Sequence, residues 1–75
     1  MYKILLVEDM DLIRRNILEM IDWESCGCQV IAQARNGEQG LLAYEQAPAD
    51  IVITDIKMPV MDGLTMIRQI KQLNP

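Results

Sequence analysis

The residues of this chain that can do chemistry are carboxylates placed where apolar runs end. Glu8-Asp9 follows the run from Lys3 to Val7, and Asp55 closes Ile51-Val52-Ile53-Thr54. If those two runs are neighbouring strands, they lie about 4.8 Å apart and bring the acids to one edge of a sheet. Crowded carboxylates repel one another unless a hard cation holds them. Mg²⁺ suits such a set, because it takes oxygen ligands at about 2.0 to 2.1 Å and keeps waters that phosphate oxygens can replace. The expected site is acidic, wet and metal-dependent. Taken singly, the acids have plainer uses. Asp9 or Asp11 can cap the helix that follows, and Asp62-Gly63 can be a turn and cap. Asp55 resists that treatment, since a carboxylate ending so apolar a strand is costly to desolvate unless it is partnered or opens into a cleft.

A second group with ligand chemistry is Cys26-Gly27-Cys28. With no His and no third Cys, it cannot close a zinc site within one chain. It reads either as a metal or redox element or as two small apolar residues near the start of a strand.

The elements that must position the acids follow from apolar spacing. Lys3 to Val7 is short and apolar, and its length and β-branching favour a buried strand. From Asp11 to about Asp22, Leu12, Ile13, Ile17, Met20 and Ile21 recur at helical spacing. This predicts a helix with one buried stripe, with Arg14, Arg15 and Glu19 largely outside it and Trp23 packing at its end. After the Gly27 break, Cys28 to Ala34 reads as a second strand, and Asn36-Gly37 signals a turn into a helix from about Glu38 to Gln46, ended by Pro48. Ile51 to Asp55 is a third strand, nearly all β-branched, as suits a parallel sheet with helices on both faces. Asp62 is placed to N-cap a last helix with Leu64, Ile67, Ile70 and Leu73 as its inner stripe. Strand and helix alternate, and each helix is long enough to be a crossover. The sheet should therefore be parallel with right-handed connections, an α/β half-fold.

Composition limits what such a fold can do. At 75 residues the chain is one domain at most, and a domain of this size buries only roughly 60 to 65% of its unfolded surface, so its stability is marginal. It is 51% hydrophobic and 24% charged, which marks it as globular rather than disordered, and the absence of Phe makes the core aliphatic. A net charge of -4 with seven dispersed cations argues against a nucleic-acid surface. No run approaches the roughly 20 apolar residues that cross a bilayer, and the apolar segment after Lys3 is too short for a signal-peptide core. The expectation is a cytoplasmic chain that engages neither membrane nor nucleic acid directly.

Val7-Glu8-Asp9 after the first strand, and Ile51-Val52-Ile53-Thr54-Asp55-Ile56-Lys57-Met58-Pro59-Val60-Met61-Asp62-Gly63-Leu64 around the third, resemble the receiver domains of two-component response regulators. The likeness covers all 75 residues. The second motif is highly specific, with Met58-Pro59 three and four positions after Asp55 and then Asp62-Gly63. The resemblance implies a flavodoxin-like (CheY-like) parallel sheet, here truncated to three βα units with strand order 2-1-3. It implies that Asp55 is the phosphoacceptor, Asp9 a direct Mg²⁺ ligand, Glu8 a ligand acting largely through water, and the backbone carbonyl of Lys57 a further ligand. It also implies phosphoryl transfer to Asp55 from a phosphohistidine on a sensor histidine kinase, in a signalling module rather than an enzyme. The stretch from Asp22-Trp23-Glu24 through Gly27, with Ala34-Arg35-Asn36-Gly37, is similar to receivers that precede AraC-type DNA-binding domains, which implies a transcriptional output domain in the full-length protein.

Complete receivers continue through two more strands, which carry a Ser or Thr that senses the phosphoryl group and a Lys that pairs with it. The fourth strand through the fifth helix is expected to be absent here, and Lys3, Lys57 and Lys71 do not stand in by motif position. Two other readings remain open. One is a structural fragment that does not signal and self-associates, as a homodimer through the exposed third-strand edge. The other is a haloacid-dehalogenase-like phosphatase, which also forms an aspartyl phosphate but wants a second Asp where Lys57 stands.

Overall fold

The computed structural model describes residues 1–58 and 60–75, so Pro59 of the Met58-Pro59 motif lies outside the described residues. Strand and helix alternate as β1 (Tyr2–Val7), α1 (Asp11–Met20), β2 (Cys28–Ala34), α2 (Gly37–Gln46), β3 (Ile51–Thr54) and α3 (Gly63–Leu73). The three strands form one parallel sheet in the order β2-β1-β3, the flavodoxin-like arrangement that the resemblance implied. Being central and covered on both faces, β1 needs apolar residues at consecutive positions. Ile4, Leu5, Leu6 and Val7 are accordingly at most 1% exposed.

The two faces differ. Leu5 and Val7 join Ala34, Tyr44 of α2, and Met66 and Ile70 of α3 in the core. Gly40 lets α2 lie close to this face, since a Cβ there would press on Val7 and on the Met66 sulfur. Ile4 and Leu6 point the other way along the pleat. Leu6 pairs in register with Gln33 of β2, and Arg14 of α1 donates to the Gln33 side chain, which places α1 on that second face.

Helix starts follow their caps. Asn36 accepts from the Gln39 N–H at 2.8 Å, so α2 begins at Gly37, one residue before the expected start. Asp62 accepts from the Thr65 N–H at 2.8 Å and caps α3 as expected. The Trp23 indole donates to the Leu18 carbonyl at 3.2 Å and packs at the end of α1, also as expected. The turn into β2 closes with bonds from the Cys28 N–H to Trp23 O (2.8 Å) and from the Gly27 N–H to Glu24 O (3.0 Å), with Gly27 at φ +72°, a left-handed position that suits glycine. Cys26 and Cys28 are both free thiols.

The direction in which two helices face departs from the sequence reading. No residue of α1 is buried, Leu12 and Met20 are 67% and 83% exposed, and Arg14 has a side chain only 13% exposed. The apolar stripe exists, but at about 3.6 residues per turn it lies roughly a quarter turn away from the sheet. Spacing reveals that a helix has a stripe, but not which side of the helix the sheet covers. In α3 Ile70 is buried and Ile67 packs against the core as expected, but Gly63 and Met66 also face inward, while Leu64 and Leu73 are 49% and 55% exposed. A row stepping by three residues falls about 60° short of a full turn at each step, so the expected row of four winds out of the core.

Candidate functional site

Parallel strands end on the same side of the sheet, and the register decides which residues meet there. Val7 pairs with Thr54, so the next residues in each chain segment, Glu8 and Asp55, emerge side by side. Backbone bonds extend the ladder beyond the strands, from the Glu8 N–H to Ala34 O (3.0 Å) and from the Asp55 N–H to Val7 O (3.4 Å). Glu8, Asp9 and Asp55 each offer a carboxylate oxygen, and these oxygens all lie within 4.8 Å of one another. This is the convergence that the sequence could state only on condition that β1 and β3 are neighbours.

The cluster grades from inside to outside. Glu8 is 6% exposed, Asp9 is half-buried and Asp55 is open to solvent. The Ile56 N–H donates to Asp55 Oδ1 at 2.8 Å, and the Met10 N–H donates to Glu8 Oε2 at 3.2 Å. Gly63 belongs to the same construction. Its N–H donates to the Ile56 carbonyl at 2.8 Å, and a Cβ at this position would overlap the Asp55 carbonyl oxygen. Asp62-Gly63 is thus both a helix cap and a close approach to the segment that carries Asp55. The Gly37 N–H, at the start of α2, donates to Met61 O at 2.8 Å and braces the same segment.

Electrostatics fit a cation here. Burial pushes the Glu8 carboxyl above the usual carboxylate range, and the neighbouring Asp9 and Asp55 add to the shift, opposed by the Met10 N–H. Among the described residues the ion pairs go elsewhere, from Arg14 and Arg35 to Asp11 at 2.6 and 3.5 Å. The Arg14 guanidinium beside it is the main reason the Asp11 carboxyl is held below its usual range. Three hard oxygen donors with uncompensated negative charge match a hard divalent cation, and the set offers no thiolate of the kind that selects softer metals. Among the described residues the opposite end of the sheet has no such set. Its carboxylate, Asp50, beside a hollow of about 480 Å³ lined by Met1, Tyr2 and Gly27, is taken by the Lys3 N–H at 2.8 Å.

Of the residues singled out in the sequence, Glu8, Asp9 and Asp55 come together, and Lys57 lies in the exposed segment two positions past Asp55. Cys26 and Cys28 contribute to no cluster of metal-ligating groups among the described residues. Arg14, placed outside by its periodicity, instead reaches the Glu8 carbonyl at 2.9 Å. No signal in the sequence marks it, because its inward turn depends on how α1 is rotated.

Comparison with known proteins agrees with this geometry. The family described as response regulator receiver domain matches residues 4–75. The chain is 41% identical over its whole length to a Bacillus subtilis protein described as the uncharacterized transcriptional regulatory protein YesN, and spans 20% of that protein. It superposes on a two-component transcriptional regulator AraC from Clostridium phytofermentans with a TM-score of 0.91 at 31% identity, covering all of this chain and 60% of that one. It is also similar to the CheX-CheY-BeF₃-Mg²⁺ complex structure from Borrelia burgdorferi, with a TM-score of 0.83 at 29% identity, covering 97% of this chain and 55% of that one. Among the described residues no helix is long and apolar enough to cross a membrane.

Proposed function

The chain belongs to the response regulator receiver family, and from that premise we propose that Asp55 accepts a phosphoryl group in a two-component signalling protein, with Mg²⁺ held by Glu8, Asp9 and Asp55. The observation that carries this reading is the meeting of the three carboxylates within 4.8 Å, with Asp55 as the solvent-open member. An incoming group can reach Asp55, whereas Glu8 is enclosed. A carboxylate oxygen of Asp55 attacks the phosphorus of a phosphohistidine on a sensor histidine kinase. The P–N bond breaks, its electron pair stays on the imidazole nitrogen, which takes up a proton, and an acyl phosphate remains on Asp55. The Ile56 N–H fixes one Asp55 oxygen during this exchange. Bound Mg²⁺ supplies positive charge against the transferring group and the acids.

Within the site, Asp9 would hold the ion directly, Glu8 would act largely through water, and the Lys57 backbone carbonyl would add a ligand. Burial of the Glu8 carboxyl supports its indirect role, and the position of Lys57 just past Asp55 supports the last assignment. The Borrelia relative, whose complex contains Mg²⁺ and BeF₃, supports both the metal and the phosphoryl chemistry. The AraC-type and YesN relatives support a transcriptional output domain joined to this module, which itself contacts neither nucleic acid nor membrane and works in the cytoplasm. The phosphatase alternative falls with the family assignment.

The alternative reading is a chain that folds and self-associates but accepts no phosphoryl group and does not signal. Incubation with a small-molecule phosphodonor and Mg²⁺, followed by intact mass, separates the two. On the first reading the wild type gains one phosphoryl group and Asp55→Asn gains none. A wild type that takes up no label selects the second reading, and a label that survives Asp55→Asn removes the assignment of Asp55.

A further inference from the structure

We infer that Arg14 is a positioning residue for the metal site, fixing the turn from β1 into α1 that presents Glu8 and Asp9. The inference rests on the metal reading above. The Arg14 guanidinium donates to acceptors on three segments: the Glu8 carbonyl at 2.9 Å, the Gln33 side chain of β2 at 3.3 Å, and Asp11 Oδ1 in the first turn of α1 at 2.6 Å. A planar guanidinium spreads its donors over three nitrogens and so holds three separated acceptors at once, whereas an ammonium offers its three donors from a single atom. The carbonyl it holds belongs to the peptide that joins Glu8 to Asp9, and the orientation of that peptide sets where both carboxylates project.

The start of α1 needs this support. Asn36 and Asp62 cap α2 and α3, but Met10 at the N-cap of α1 provides no side-chain cap. Beyond the backbone bond from the Glu8 N–H to Ala34 O, the turn is tied by the bond from the Met10 N–H to Glu8 Oε2, which engages the same carboxylate that the cation draws on. Arg14 therefore supplies the fixed end of the turn from a group that is not itself a ligand.

Charge and geometry predict opposite signs, which makes the role testable. Arg14 is a cation beside a cation site, so on Coulombic grounds its removal should tighten Mg²⁺ binding. Its pairing with Asp11 offsets that charge, and loss of the clamp should then dominate and loosen binding. Mg²⁺ titration followed by NMR shifts of Glu8, Asp9 and Asp55 should show Arg14→Gln and Arg14→Lys each weakened about tenfold, the lower end of what partners of metal ligands usually contribute. In the metal-free chain, amide exchange at Asp9 and Met10 should quicken in both variants. Gln33→Ala, which keeps the cation and removes one anchor, should weaken binding less, and it serves if the Arg14 variants fold poorly. Unchanged or tighter binding by Arg14→Gln, or full affinity in Arg14→Lys, would overturn the inference. A wild type with no Mg²⁺ response at the three acids would instead sink the metal reading, and the metal-free exchange would then decide alone whether Arg14 holds the turn.

Discussion

Glu8 and Asp9 are adjacent in the chain, yet one is enclosed and the other half-buried, and their substitutions should behave differently. Asp9→Asn is expected to weaken Mg²⁺ or Mn²⁺ binding most among the three acids, followed by NMR shifts or Trp23 fluorescence. Metal-induced shifts confined to residues far from all three acids would contradict the site. Glu8 leads to a prediction about pH. Its folded carboxyl holds a proton to higher pH than it does in the unfolded chain, chiefly because of burial. The stability it contributes is present below the ordinary carboxylate range and is lost as pH rises through the shifted value. Without metal, Glu8→Gln should therefore raise the thermal midpoint at neutral pH and leave it little changed in mild acid. An identical neutral midpoint would show that ionised Glu8 is not costly. Protons compete with the cation over the same range, so metal affinity should decline as the pH falls through it.

At the scale of elements, existence and order could be read from local patterns, while facing could not. The cap Asp62, the turn at Asn36-Gly37, the break at Gly27 and the β-branched Ile51 to Thr54 are where composition and turn chemistry place them. Met66 was not on the expected inner stripe and is fully buried, whereas Leu12 was on one and is 67% exposed. In urea unfolding, Met66→Ala should cost about 2 to 5 kcal/mol. Leu12→Ala should stay within about 0.5 kcal/mol in dilute solution. Comparable losses would contradict the rotation of α1. Asp62→Ala should cost about 1 kcal/mol through loss of the cap. Gly63→Ala acts differently, since its Cβ must displace the Asp55 segment, and it should disturb metal binding along with stability.

For the molecule as a whole, β3 lies at an edge of the sheet, and Ile51 is 41% exposed on it. The strand carries no Lys or Pro to discourage pairing, and a core this small gains from added burial. The proposed homodimer pairs β3 with β3 about a two-fold axis, antiparallel at the junction, with the two Asp55 sites at opposite ends of a continuous sheet. For the segment 1–75 taken by itself, sedimentation should show a dimer, and Ile53→Pro should shift it toward unfolded or aggregated monomer. A well-folded monomer at high micromolar concentration, with freely exchanging β3 amides, would exclude the model of edge pairing.

The order of strands and helices, the caps, and the placing of an acid at the end of each apolar run were decided by residues within a few positions of one another, and so could be read directly from the chain. Specific motifs around Asp55 added the family, and with it the strand order. The tertiary structure decided whatever depends on distant segments meeting. Glu8 and Asp55 are 47 positions apart in the chain, and only the register of β1 on β3 makes them neighbours. The burial that shifts the Glu8 carboxyl comes from packing, and Arg14 reaches the Glu8 carbonyl because α1 lies with that side toward the sheet. Periodicity records that a helix has an apolar side, but which side the sheet covers is decided in the packed structure.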